Sequence, residues 1–93
     1  MAGSPHYTAP ELVQNEIGTS KSDVWSLGCI LYEMCTLHKA FEQKKLIKLA
    51  MEITKGDPKP FTDDLPYSTD LKEMIVSLLV KDPSKRPSIA EIL

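Results

Sequence analysis

The sequence predicts an all-α fold in a single small domain. Three stretches, residues 22–37, 42–56 and 68–82, place apolar residues at the three- and four-residue intervals of a helix. No stretch alternates apolar and polar residues as a half-buried strand would, and no internal repeat is present. The 93 residues are 42% hydrophobic and 26% charged, a balance that permits a packed core.

The first part of the chain is predicted to be a loop followed by a short helix. Residues 1–8 have a loop composition, and Pro10 suits the first turn of a helix that runs to about Gln14. Glu11 lies in that first turn. The stretch "NEIGTSKS" then predicts a turn in which Gly18 is the break.

The central helix is predicted over residues 22–37. Ser22 is a good N-cap, and Asp23 is a favourable anion in the first turn. Asp23 and Glu33 alone carry charge in this segment, so the helix is apolar nearly all round and is expected to have protein on every side. One apolar stripe contains Val24, Leu27, Gly28, Leu31, Met34 and Cys35. Off that stripe lie Trp25, Ile30 and Leu37.

The remaining elements follow from their own patterns. Residues 42–56 predict an amphipathic helix that ends at Gly56 and turns inward Leu46, Ile47, Ala50, Met51 and Ile53. Three prolines make residues 57–67 a loop. A helix over residues 68–82, capped by Ser68, buries Leu71, Met74, Ile75, Leu78 and Leu79. Ser88 and Glu91 form a capping box that starts a last helix.

Charge and cysteine spacing argue against several classes of protein. The formal net charge of −2 is unlike the basic footprint of a nucleic-acid-binding protein. No signal peptide follows Met1, and the uncharged stretch Val24–Tyr32 is far shorter than the about 18 residues of a membrane span. Cys29 and Cys35 would lie about 9 Å apart along a helix, too far for a disulfide. The two histidines, at positions 6 and 38, show no metal-ligand spacing. We therefore expect a cytosolic or nuclear chain that binds neither nucleic acid nor membrane.

Three blocks occur in order along the chain: "GSPHYTAPE", "SDVWSLGC" and "DPSKRPS". Together they resemble the second half of the large lobe of a protein kinase, and A-P-E belongs to the kinase signature set. "SLGCILYEMCTLHKAFE", "YSTDLKEMI" and "RPSI" are similar to the NIMA-related (Nek) branch. The resemblance covers essentially all 93 residues. It implies a partial kinase domain over residues 1–93: the end of the activation segment and about five helices, the last one truncated.

The resemblance also implies an activity, the ATP-dependent phosphorylation of protein serine or threonine. The family's glycine-rich loop, H-R-D loop and D-F-G motif lie upstream of A-P-E, and none of them occurs within these residues. We expect this chain alone to be inactive and to bind no cofactor, although ATP and Mg²⁺ are implied for the full-length family. It would be a kinase fragment for which Met1 is a doubtful natural start. The resemblance further implies a location in the cytoplasm, or at the cytoskeleton, the centrosome or the nucleus.

The resemblance assigns substrate-binding roles to Gly3, Ser4, Pro5 and Tyr7. In the family, this loop receives the residue that follows the phosphoacceptor. The hydroxyl at the position of Ser4 contacts the catalytic aspartate and its lysine; the alternative is a plain turn serine. His6 and Thr8 depart from the residues usual in the family, which indicates either an altered substrate preference or drift.

The remaining site residues implied by the resemblance are structural. Glu11 and Arg86 form an ion pair in the family, and a buried pair of this kind favours a bidentate geometry. Asp23 either accepts hydrogen bonds from the upstream catalytic loop or acts as a plain helix N-terminal anion. Trp25 and Gly28 are expected to pack in the core. No residue of this chain is assigned a catalytic or metal-binding role.

Two further hypotheses remain beside the kinase fragment. The chain could be a non-catalytic interaction module or pseudokinase remnant that presents its substrate-side groove and residues 42–56 to other proteins. It could also be an unrelated helical adaptor. The partners expected on the first hypothesis are protein substrates and the upstream kinase segment.

Overall fold

Five α-helices and two 3-10 turns make up the described part of the structure. The computed structural model describes residues 5–58, 61 and 67–92. Its helices are α1 (Pro10–Val13), α2 (Ser20–Thr36), α3 (Leu46–Lys55), α4 (Thr69–Leu78) and α5 (Ile89–Ile92). The 3-10 turns span Pro5–Tyr7 and Pro83–Lys85, and no described residue lies in a strand. The predicted all-α class is confirmed.

Helix α2 begins earlier than predicted. Thr19, in extended conformation, is the N-cap, and its hydroxyl accepts a hydrogen bond from the Lys21 N–H at 3.1 Å. Ser22, predicted as the cap, instead accepts from the Thr19 N–H at 3.2 Å and so completes a capping box. The stretch "TSKS" offers several cap residues, and the pattern alone could not choose between them. At the other end, Leu37 adopts a left-handed conformation (φ 62°), and its N–H donates to the Glu33 carbonyl.

The buried face of α2 differs from the predicted stripe. Its buried apolar members are Val24, Trp25, Cys29 and Tyr32, together with Gly28. Met34, predicted to lie on the stripe, is 66% exposed, whereas Trp25, predicted to lie off it, is fully buried. Protein therefore does not surround α2 on every side within the described residues, as Ile30 and Leu37, 45% and 85% exposed, also show. Because α2 is apolar around most of its circumference, periodicity could not identify the packed face. Packing against α4 selects it.

Helix α3 starts at Leu46 rather than at residue 42, and its buried residues are Leu49 and Ile53. The prediction that Leu46, Ile47 and Met51 face inward is wrong, because these side chains are 66%, 78% and 56% exposed. The helix lies against α1, and this contact buries only the row that contains residues 49 and 53. The other apolar residues extend around the helix beyond that contact.

The C-terminal helices follow their patterns more closely. Ser68 caps α4 by accepting the Leu71 N–H at 3.2 Å, and the predicted inward residues are buried or half-buried. The helix ends at Leu78, earlier than predicted, where the Leu79 N–H donates to the Val76 carbonyl in a tighter turn. The Ser88–Glu91 capping box is confirmed by reciprocal hydrogen bonds of 3.2 Å. Residues 59–60 and 62–66 of the predicted 57–67 loop lie outside the described residues.

The core is organised around Trp25. Its ring stacks on Phe41 with 5.7 Å between ring centroids, and Tyr32 contacts Phe61 at 5.2 Å. The Lys81 ammonium lies over both rings of the first pair, at 5.4 and 5.1 Å, and donates to the Ile53 carbonyl at 2.9 Å. The core therefore joins α2 to the segments that follow α2 and α4.

Candidate functional site

The site is built around the segment that precedes and includes α1. Pro5, His6 and Tyr7 form a 3-10 turn, closed by a hydrogen bond of 3.2 Å from the Thr8 N–H to the Pro5 carbonyl. Pro5 is exposed. Gly3 and Ser4, two of the residues predicted to bind substrate, lie outside the described residues.

Tyr7 attaches this turn to α2. Its hydroxyl donates to the Glu33 Oε1 at 2.5 Å, and its carbonyl accepts a hydrogen bond from the Ser26 hydroxyl at 2.8 Å. The bond to the Glu33 carboxylate raises the pKa of Tyr7, because ionisation would remove the donated proton. The tyrosine is therefore held at two points, one on its side chain and one on its backbone.

Glu11 and Arg86 form a buried, bidentate ion pair. The two guanidinium nitrogens Nη1 and Nη2 each donate to one carboxylate oxygen of Glu11 at 2.8 Å. The residues are only 4% and 2% exposed. Ser22 donates to the same carboxylate at 2.7 Å, a third bond that the sequence prediction missed. The bidentate geometry fixes the orientation of the guanidinium relative to the carboxylate as well as the distance between them.

Arg86 also satisfies backbone carbonyls around it. Its Nε donates to Val80 at 2.6 Å, and its Nη atoms donate to Lys21 at 2.9 Å and Lys81 at 3.0 Å. The guanidinium lies 5.0 Å from the Trp25 ring centroid. Sequence reasoning could not find these partners, because carbonyl acceptors leave no signature in the residue types. Arg86 thus joins α1, the start of α2 and the segment after α4.

The environment of Glu11 keeps it ionised. Burial alone would raise its pKa, but the hydrogen bonds from Arg86 and Ser22 outweigh burial and lower the pKa from 4.5 to about 2. Burial dominates at Cys29, where no hydrogen bond offsets it to the same extent, and it raises the pKa of that thiol from 9.0 to about 12. Burial also disfavours the charged form of Lys81, and for this cationic group it lowers the pKa. Cys29 and Cys35 are both free thiols.

The other predicted structural residues occupy distinct places on α2. Asp23 is exposed in the first turn. Trp25 is at the centre of the core. Gly28 is buried against α4, and a Cβ atom added there would lie 2.8 Å from the Leu78 Cβ. The glycine therefore permits an approach of the two helices that an alanine would obstruct.

Two hollows border the 3-10 turn. Pro5 and Thr8 line a small apolar hollow of about 190 Å³, whose opposite wall includes Leu46 and Ala50 of α3. His6, which lies between Pro5 and Thr8 in sequence, lines a different cleft of about 630 Å³ together with residues of the α2–α3 connection. The turn thus contributes to two surfaces of different character.

Within the described ranges, the structure contains neither a candidate metal-binding cluster nor a candidate membrane-spanning helix. No group of three or more His, Cys, Asp or Glu side chains there has an arrangement that could hold a metal ion. None of the helices in residues 5–58 and 67–92 combines the length and the apolar character needed to cross a membrane.

Comparison with known proteins gives consistent matches over the whole chain. The family model of the protein kinase domain matches residues 1–93. The probable serine/threonine-protein kinase nek3 of Dictyostelium discoideum is 49% identical over 92 residues, which are 98% of this chain and 8% of that protein. Serine/threonine-protein kinase Nek8 of Danio rerio is 42% identical over 93 residues, 100% of this chain and 13% of Nek8. Nek1 of Mus musculus is 41% identical over 91 residues, 98% of this chain and 7% of Nek1. The chain therefore spans only 7 to 13% of the length of these relatives.

Proposed function

Because this chain belongs to the protein kinase domain family, we propose that it works as the C-terminal helical part of the large lobe of a Nek-like serine/threonine kinase. The reaction of the whole kinase is ATP-dependent phosphorylation of serine or threonine in protein substrates. The contribution of this chain is to receive and orient the substrate. We assign no residue of it to ATP, to Mg²⁺ or to the phosphoryl-transfer step itself.

The observation that carries this proposal is the double attachment of the segment between Pro5 and Glu11. Tyr7 is bonded to α2 at one end, and Glu11 is bonded to Arg86 and Ser22 at the other. A loop that orients a substrate must itself be held in place, since small misplacements are costly in positioning-dominated reactions. The loop Gly3–Ser4–Pro5 directly precedes this attached segment.

Within the loop we propose distinct roles. Gly3, Ser4 and Pro5 contact the substrate residue that follows the phosphoacceptor, and the apolar hollow beside Pro5 accommodates its side chain. The Ser4 hydroxyl is both donor and acceptor and serves the catalytic aspartate of the whole kinase. Tyr7 acts by positioning the turn on α2.

The exposed face of α2 supports the upstream kinase segment as a further partner. Ile30 and Met34 are 45% and 66% exposed, and they lie one helical turn apart on the same side. Asp23 is exposed at the start of the same helix, where a carboxylate can accept hydrogen bonds from an upstream backbone segment. We propose that the catalytic loop and the helices before it cover this face.

A chimeric kinase tests the proposal. The region of Danio rerio Nek8 that matches this chain is replaced by these 93 residues, and phosphate transfer from labelled ATP to a protein substrate of the parent is measured. We expect an active chimera whose kcat/KM falls by about 10- to 100-fold in a Ser4→Ala variant. Ser4→Thr, which keeps the hydroxyl, is the matched control and should remain active. A chimera that melts like the parent but transfers no phosphate contradicts the proposal.

A second candidate function is the non-catalytic interaction module. It is favoured by the exposure of Leu46, Ile47 and Met51 on α3, whose side chains are 66%, 78% and 56% exposed. If this role is the correct one, the chimera should be inactive, and Ile47→Lys should weaken binding of a partner protein without changing the melting temperature.

A further inference from the structure

The cleft beside His6 is strongly basic. Its volume is about 630 Å³, and its charged lining consists of Lys39, Lys44, Lys45 and Lys48 against the single carboxylate of Glu42. The whole chain carries a net charge of −2, so this positive surface is a local feature and not a reflection of composition. A cleft lined by one sign of charge concentrates its field and raises the local concentration of oppositely charged ligands.

These lysines are available to a ligand. Lys44, Lys45 and Lys48 are exposed, and Lys39 is half-buried. In the described part of the chain, the ion pair joins Glu11 to Arg86, and none of the four lysines is paired with a carboxylate. Like charges held around one cleft repel each other, and an anion placed among them relieves that repulsion.

The position of the cleft connects it with the substrate. His6 belongs to the 3-10 turn that begins directly after Ser4, and the lysines come from the α2–α3 connection and the first turn of α3. The cleft therefore lies between the attached turn and that connection. Pro5 and His6 are adjacent in the turn, and an extended peptide advances about 3.3 Å per residue, so a peptide bound beside Pro5 can reach this cleft within a few residues.

We infer that the His6–lysine cleft binds an anionic side chain of the peptide substrate near the phosphoacceptor, and that this kinase segment prefers acidic or previously phosphorylated sequences. This inference rests on the proposed function. Aspartate, glutamate and phosphoserine share the required negative charge. Lysine ammoniums act as point charges, so the cleft accepts either a carboxylate or a phosphate.

Peptide binding to the full chain tests the inference. Labelled serine peptides are titrated by fluorescence anisotropy: a neutral parent, a series in which one aspartate occupies each position in turn, and the same series with phosphoserine. About three exposed charge pairs together predict roughly tenfold tighter binding at the best position than for the neutral parent. The preference should depend on position and should fall as salt is added. Equal gains at every position would indicate diffuse attraction and overturn the inference.

Matched lysine variants locate the binding. The double variant Lys44→Gln, Lys48→Gln should remove the acidic preference. The control Lys55→Gln, Lys85→Gln changes net charge equally at exposed positions outside the cleft and should keep it. Circular dichroism melting checks that both variants fold. If the Lys55→Gln, Lys85→Gln variant loses as much affinity for acidic peptides as the Lys44→Gln, Lys48→Gln variant does, the cleft is not the binding site. Binding of phosphatidylserine vesicles or single-stranded RNA, without binding of acidic peptides, also overturns the inference.

The same peptides in the chimera separate this inference from the proposed function. If the chimera has a lower KM for the acidic peptide than for the neutral one, and the Lys44→Gln, Lys48→Gln substitutions abolish this difference, both the proposed function and the cleft inference are supported. Activity with equal KM for neutral and acidic peptides leaves the proposed function standing and contradicts the cleft inference. An inactive chimera, with lysine-dependent binding of acidic peptides to the chain, contradicts the substrate role and leaves only anion binding.

Discussion

Replacing Arg86 with alanine should strongly destabilise this chain. Arg86 and Glu11 are almost fully buried, and the substitution leaves the Glu11 carboxylate inside the protein without its cation. Removing one partner of a buried pair costs about 3–5 kcal/mol. Three backbone carbonyls also lose a donor, which places the expected loss toward the upper end of that range.

The measurement can use the tryptophan that lies beside the ion pair. Trp25 is the only tryptophan of the sequence, and its ring centroid is 5.0 Å from the Arg86 guanidinium. Its fluorescence and the helical circular dichroism signal should give coincident unfolding curves. At about 4–8 °C per kcal/mol for a domain of this size, a loss of 3 kcal/mol lowers the Tm by at least about 12 °C. Arg86→Lys keeps the charge without the bidentate geometry. Its Tm should therefore lie between the Tm of Arg86→Ala and that of the unmodified chain.

The same pair predicts a specific dependence of stability on pH. The pKa of Glu11 lies at about 2 in the folded chain, below its ordinary value of 4.5. A lowered carboxyl pKa contributes stability that is complete above the unfolded value and disappears as the pH falls toward the folded one. The difference between these two pKa values corresponds to about 3 kcal/mol of folding stability. This stability is lost as the pH falls from about 5 to about 2. Glu11→Gln should therefore be less stable at pH 7 and should show a shallower loss of stability in acid.

Two results would refute this reasoning. The first is a change of less than about 3 °C in the Tm of Arg86→Ala, similar to that of the neighbouring exposed control Lys85→Ala. The second is a loss of stability with falling pH that is equally steep in the unmodified chain and in Glu11→Gln. Either would mean that the pair is solvated or not formed in solution.

Further predictions concern the helices around this ion pair. Gly28→Ala should lower the free energy of unfolding in urea by about 1–3 kcal/mol, because the new methyl group meets α4. Gly18→Ala should lower it by less than about 1 kcal/mol, because the methyl group there meets only the end of a flexible side chain. Equal effects of the two substitutions would contradict the close packing of Gly28 against α4. Cys29, with its pKa raised to about 12 by burial, should resist thiol reagents until the chain is unfolded, while the half-buried Cys35 reacts in the native state. Rapid modification of both thiols would oppose this. Met34→Lys should reduce binding of the dye ANS without lowering the Tm, because Met34 is 66% exposed, and unchanged dye fluorescence would argue against an open apolar face.

The parts of the fold that could be predicted from sequence were those with one clear signal each. Ser68 precedes a helix with one apolar face, and both its capping role and the buried residues of that face are found in the structure. The start of α2 carries several good caps within four residues, so local chemistry left the boundary undecided. The packed faces of α2 and α3 were predicted only in part, for a related reason: Val24, Gly28 and Ile53 are buried as expected, but other members of each face are not. Both helices have apolar residues well beyond a single stripe, and only the positions of α4 and α1 decide which are covered.

What the sequence did not indicate is a polar row on α2 that holds the segment before and within α1. Ser22, Ser26 and Glu33 fall on one side of the helix, since intervals of four and eleven residues nearly complete whole turns. The first of them binds Glu11, and the other two bind the carbonyl and hydroxyl of Tyr7. The row extends over about 16 Å of helix axis, so residues 7–11 are held along α2 and not at a single contact. An apolar helix in the core thus fixes residues 7–11 through its few polar residues. Changes that displace α2 from α4 should therefore disturb the turn at Pro5–Tyr7 as well as the stability of the fold.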